Sequence, residues 1–278
     1  MAKPMLITVN GTGVPDPFGP GFSGDVGRAF AVNPWAVLAD MYDGLQTPLP
    51  PIFWQPIGYP AAVTPMNPSI AIGRAEVNRQ ISLHEHDGSC PVGTPLALSG
   101  YSQGAIVTGQ VWAYDILEPT GIHHNRLNDV IAVIQFGDPL RSPGIANGNT
   151  VAGFPQPKKL DGDVTGGIGG PLCLHPAQTP DLLLSCALDG DLYASAPIGT
   201  NPWTDEASAG KVGTGIYNII MQASFFNVIS IAKDLFAPIG TVEEIINGIG
   251  FAAKGMNAPH WQYEPFVPAM VNYLLSKI

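Results

Sequence analysis

The stretch from Leu96 to Gln110, LALSGYSQGAIVTGQ, sets Ser102 inside Gly100-Tyr-Ser-Gln-Gly104, between an apolar run and a segment of helical periodicity. A serine becomes a useful nucleophile when it sits on a tight strand-to-helix corner, where small flanking residues let the strained turn fit against its neighbours. There the Ser102 Oγ points out of the corner, and the backbone N–H of Gln103 lies at the helix N-terminus, aimed at the oxyanion that develops on attack. So short a motif arises by chance, and it is the order of strand, serine and helix that supports the reading. A second oxyanion donor is expected from Thr12, by its N–H and hydroxyl, in the turn Asn10-Gly-Thr-Gly13 after the first apolar run. That turn begins like a dinucleotide-binding loop, but Val14-Pro-Asp-Pro17 brings neither a third glycine nor a helix start, which rejects the fingerprint.

A serine needs a base, and the base needs an acid. In this kind of fold they follow the nucleophile in the order acid, then histidine. His84 and His86 precede Ser102, while His123 and His124 lie in a polar turn just after its helix, where solvent-exposed histidines are ordinary. His175 comes before the strongest acids. His260, in the turn Asn257-Ala-Pro-His-Trp261 ahead of a last helix, fits the base best. Asp138, Asp189 and Asp191 each follow a strand-like run. Asp138, in Phe136-Gly-Asp-Pro139, comes early for the acid and suits a structural turn, and spacing does not separate Asp189 from Asp191. His84, His86, Asp87 and Cys90 have metal-ligating chemistry but lack a second ligand pair, so neither a metal nor another cofactor is expected.

The elements that must position these groups alternate strand and helix, as in an α/β fold with a mainly parallel sheet. Strands are expected at Met5 to Val9, Phe53 to Pro60, Pro95 to Ser99, Asp129 to Phe136 and Leu182 to Leu188. A helix is expected from Pro68 to about Leu83 with Asn67 as its N-cap, and another after Ser102, with Ala105, Ile106, Val111, Trp112 and Ile116 as its apolar stripe. Gly144 to His175 reads as loop. From Trp203 to Met256 a helical pattern around Ile216, Ile219, Ile220, Ala223, Phe226 and Ile229 precedes a capping box at Thr241-Val-Glu-Glu244, the pattern of a helical insertion that packs on the core or covers an apolar groove.

Bulk properties narrow the function. The chain has 278 residues and 45% hydrophobic content, enough for a large core. Its net charge of -10, from 22 acidic against 12 basic residues, gives no footprint for nucleic acid. Only 12% of residues are charged, about half the usual share, which suits work against a greasy surface. The start, MAKPMLITVNG, lacks the apolar length of a signal peptide, so synthesis in the cytoplasm is expected. Ile216 to Phe236 is broken by Asn218, Gln222, Asn227, Lys233 and Asp234, against a membrane span. Cys173 and Cys186 are close enough in sequence to pair, yet free thiols are the expectation without an export signal.

Gly100-Tyr-Ser-Gln-Gly104, Phe136-Gly-Asp-Pro139 and Asp189-Gly-Asp-Leu-Tyr193 together resemble the cutinase-like serine esterases and, more closely, the lysin B proteins of mycobacteriophages. The resemblance extends through Lys3-Pro4, Asn10-Gly-Thr-Gly-Val-Pro-Asp-Pro-Phe-Gly-Pro20, Trp54-Gln-Pro-Ile-Gly58, Tyr59-Pro-Ala-Ala62, Ser102-Gln-Gly-Ala-Ile-Val107, Asp191-Leu-Tyr-Ala-Ser195 and Pro259-His260. It implies an α/β-hydrolase core over residues 1–202, a helical linker at 203–256 and a return to the core at 257–278 with the histidine. It also implies Ser102 as nucleophile, Asp191 as acid and His260 as base. The implied substrate is the ester joining mycolic acid to arabinogalactan in the mycobacterial envelope, cut late in infection, after the protein's release from the host cytoplasm. A monomer is expected, and a general lipase or cutinase with the same triad is the alternative.

Overall fold

A computed structural model describes residues 2–31, 51–222 and 258–278 of the chain. Five parallel strands, β1 (Met5–Val9), β2 (Phe53–Ile57), β3 (Leu96–Tyr101), β4 (Val130–Phe136) and β5 (Leu183–Cys186), form one sheet in the order β2-β1-β3-β4-β5. The three inner strands are apolar because helices cover both faces. Alternate side chains of one strand serve opposite cores. Met5, Ile7 and Val9 pack with Ile70, Val77 and Ile81 on one face, while Leu6 packs with Val26, Phe266 and Met270 on the other. Burial of each such aliphatic side chain stabilises the fold by about 1.5–3 kcal/mol. Pro56, which cannot donate to a ladder, sits in the edge strand β2 opposite Thr8.

The first face is built by α2 (Met66–His86) and α3 (Gln103–Gln110), the second by α1 (Phe22–Arg28) and the C-terminal helix α6 (Val267–Leu275). α2 differs from the sequence expectation at both ends. Pro65 occupies the cap position, so Asn67 lies inside the first turn, and the helix runs on to His86. Pro68 is tolerated because the N–H groups of a first turn have no helical partner. Beyond Gln110, α3 widens into a π-helix over Val111–Leu117.

The expected loop Gly144 to His175 contains a short helix, α4 (Asn147–Ala152). Its asparagines cover the other sheet edge, since Asn147 Oδ1 accepts from Ser185 N–H and Asn149 Oδ1 from Ala187 N–H, both at 2.9 Å. The expected insertion begins as α5 (Ser208–Gln222). The rest of that pattern, with Thr241-Val-Glu-Glu244, lies outside the described residues. All three cysteines are buried free thiols. Among the described residues no helix is long and apolar enough to cross a membrane.

Candidate active site

β3 delivers Ser102 to its corner. The residue takes φ 55°, ψ -119°, the strained backbone of a sharp strand-to-helix turn. Its N–H donates to Phe136 O at 3.0 Å, tying the corner to β4. Both motif glycines are required by contact: a Cβ on Gly100 would lie 2.5 Å from Gly104 O, and one on Gly104 would collide with the carbonyls of Val9 and Asn10.

His260 comes from a 3-10 turn ahead of α6 and is buried. Its Nε2 lies 2.9 Å from Ser102 Oγ, and its Nδ1 lies 2.9 Å and 3.0 Å from Asp191 Oδ2 and Oδ1. Asp191 is fully buried and also accepts hydrogen bonds from Tyr263 Oη at 2.6 Å and Tyr193 N–H at 2.9 Å. Burial by itself would raise this carboxyl; the charge and hydrogen bond of His260, with the bonds from Tyr263 and Tyr193, outweigh it and hold the group below the usual carboxylate range. Such an arrangement can draw a proton from the hydroxyl and hold the resulting imidazolium.

The pair that spacing left open separates cleanly. Asp189, two residues before Asp191, faces outward, with Lys158 N–H donating to its Oδ1 at 2.6 Å. Asp138 is structural, as expected, its Oδ1 accepting from Leu140 N–H at 2.8 Å. His175 stacks on Trp203 with ring centroids 4.2 Å apart. His84 is held by Ser89 Oγ at 2.8 Å and Gln55 Oε1 at 3.0 Å, and Cys90 packs beside Arg126, so that cluster is engaged in structural contacts. His123, expected at the surface, is buried and its Nε2 meets Asn78 O at 3.1 Å, because the turn folds under α2.

Thr12 and Gln103 line the same cavity as Ser102 and His260, a space of about 650 Å³. The turn of Thr12 runs close to the nucleophile: a Cβ on Gly11 would stand 3.3 Å from Ser102 Cβ. The segments that carry both expected donors are anchored to one stretch of chain. Gln103 Nε2 donates to Ala62 O and Gly13 N–H to Ala61 O, each at 2.8 Å, leaving the donor N–H groups themselves out of these bonds. Tyr217 and Ile220 of α5 form part of the wall, as expected of the insertion, whereas Met221 faces a separate cavity of about 330 Å³.

Four residues escaped the sequence reading. Tyr101 stacks on the His260 ring at 5.2 Å and donates to its carbonyl at 2.8 Å, and Tyr193 flanks the same ring at 4.6 Å. Tyr263 braces Asp191. Arg141, fully buried, donates to the carbonyls of Ala194 and Ile145 and to Thr165 Oγ1, joining the acid's loop to the long loop beside it. Tyr101 and Tyr193 stand inside the quoted motifs, the one local signal available. Tyr263 and Arg141 are linked to the site only by the tertiary fold.

A family model for Cutinase matches residues 50–164. Endolysin B of Mycobacterium phage L5 is 34% identical over 274 residues, covering 95% of this chain and 94% of that protein. Endolysin B of Mycobacterium phage D29 is 34% identical over 244 residues, covering 81% and 76%. The crystal structure of lysin B from mycobacteriophage D29 superposes with a TM-score of 0.68 at 32% identity, over 99% of this chain and 100% of that one. With the five-stranded parallel sheet, these likenesses identify a cutinase-like α/β-hydrolase fold.

Proposed function

Because this chain belongs to the endolysin B family of mycobacteriophages, we propose that it is a serine esterase that hydrolyses the ester between mycolic acids and arabinogalactan and so aids host lysis. The observation that carries the esterase reading is the Ser102, His260 and Asp191 relay, closed at 2.9 Å on both sides of the imidazole. His260 takes the Ser102 proton as Oγ attacks the ester carbonyl, Asp191 fixes the imidazole tautomer, and the Gln103 and Thr12 N–H groups receive the oxyanion. His260 then gives its proton to the departing sugar oxygen, and water, activated by the same base, releases the acid. The buried carboxylate of Asp191 supports the role of orienting acid, since a group held ionised beside a histidine stabilises the imidazolium formed in both steps.

The substrate reading draws on the family and on the cavity, whose walls Met66, Ile106, Ile168 and Ile220 suit a long acyl chain. It is tested by mass analysis of lipid released from purified mycolylarabinogalactan by the wild type and by Ser102→Ala. Free mycolic acid from the wild type alone is the expected result. Hydrolysis of soluble esters without mycolate release would instead make the protein a general lipase or cutinase-type enzyme.

A further inference from the structure

The cavity at Ser102 straddles the C-terminal edge of the sheet, and its two ends differ in chemistry. Ile106, Ile168 and Tyr217 belong to the core on the α2 side, with Met66 packed against it. The opposite end is bounded by α1 and by the turn after His260, where Phe22 meets Tyr101 at 4.8 Å and Tyr101 meets Trp261 at 6.2 Å. Two lining residues at that end offer a carboxylate and an indole face, a pair that suits a polyhydroxylated ring better than an acyl chain alone. Trp261 is 40% exposed although it follows a buried histidine. Asp25, one turn beyond Phe22, keeps a charged carboxyl on the wall, its side chain 40% exposed.

Asp25 is held in place. Arg28 Nε and Nη2 both bond its Oδ1, at 3.1 Å and 2.5 Å, and Arg28 Nη1 bonds the carbonyls of Phe18 and Gly19. Among the described residues its Oδ2 accepts no hydrogen bond. A carboxylate 40% exposed is hydrated, so an acyl chain laid against it would strip that water at a cost, whereas hydroxyl groups would replace it. The position fits the chemistry, because the leaving oxygen must lie against His260 Nε2 to receive its proton, and Trp261 is the next residue in the chain. We infer that Asp25 and Trp261 form the subsite for the sugar half of the ester, its ring against the indole and its hydroxyls donating to Asp25. The subsite rests on the esterase reading of Ser102, and it assigns the acyl chain to the α2 end.

The test compares two esters with one acyl group, ethyl octanoate and the octanoyl ester of methyl arabinofuranoside. The ratio of kcat/KM for the sugar ester to that for the ethyl ester is expected to fall about tenfold in Asp25→Ala and in Trp261→Ala, the loss of one hydrogen bond to a charged group or one aromatic anchor. Trp261→Phe, which keeps an aromatic face, should restore most of the ratio. An unmoved ratio in either alanine variant overturns the subsite. A measurement on the wild type alone guards against misfolded variants: free methyl arabinofuranoside should competitively inhibit ethyl octanoate hydrolysis, and no inhibition overturns the proposal. Hydrolysis of both esters by Ser102→Ala at the wild-type rate would overturn the esterase reading instead, whatever the ratio does.

Discussion

Asp138 and Asp191 follow adjacent parallel strands, β4 and β5, and both are buried, yet their surroundings push them in opposite directions. Asp138 receives one backbone N–H, and its Oδ2 has no partner among the described residues; burial raises its pKa to about 6. Asp191 receives an imidazole, a phenol and a backbone N–H, and these donors overcome the same desolvation. Depth therefore does not decide whether a carboxyl carries charge. The donors brought to it do: His260 and Tyr263 lie against both loops, but only the carboxyl after β5 is hydrogen-bonded by them.

The largest test of this contrast is to remove the charge at each position. Asp191→Asn is expected to lower kcat on a soluble ester about 10⁴-fold, as loss of the orienting acid does in serine triads, whereas Asp138→Asn should leave kcat close to wild type. Steady-state kinetics with matched protein concentrations check both. Next in size is Gly137→Ala. Gly137 has φ 56°, and a Cβ there would stand 2.9 Å from His260 Cε1, so the ring must move. A loss of kcat of about 100-fold is expected, with a lowered Tm in a thermal melt, from a steric cost of ~1–3 kcal/mol. Thus the loop after β4 contributes to the site through its glycine and not through its acid.

A smaller effect is expected from Tyr263→Phe, which removes one donor to Asp191. Loss of a hydrogen bond to a charged group should lower kcat roughly tenfold, with KM unchanged, in the same assay. The smallest effect on turnover is that of Asp138, whose signature is in stability. Its folded pKa lies above the ordinary value, so its contribution is fully present below about pH 4 and is lost as pH rises through about 6. Asp191 has the opposite sign: its contribution is present above the ordinary carboxylate range and is lost as pH falls through its lowered folded pKa. Melts of wild type and Asp138→Asn from pH 4 to pH 7 should show the difference moving in favour of the variant.

The same contrast shows what the chain discloses before folding. Ser102 and Gln103 were legible because a nucleophile corner is local: apolar strand, two glycines and a helical stripe fall within fifteen residues. His260 was legible from chain order. The choice of Asp191 over Asp189 was not legible from spacing, because it depends on Tyr263, 72 residues away, and on a loop that turns one carboxyl in and the other out. Helix ends show the same limit, since Asn67 suits a cap by its side chain while the helix starts one residue earlier, with Pro65 at the cap position.

The most direct test of the Ser102, His260 and Asp191 assignment is covalent labelling with diethyl p-nitrophenyl phosphate, followed by intact-mass and peptide analysis. One diethylphosphoryl group on Ser102 is expected, formed at a comparable rate in wild type and Asp138→Asn and far more slowly in Asp191→Asn. A label on another residue, or equal labelling of the two aspartate variants, would contradict it.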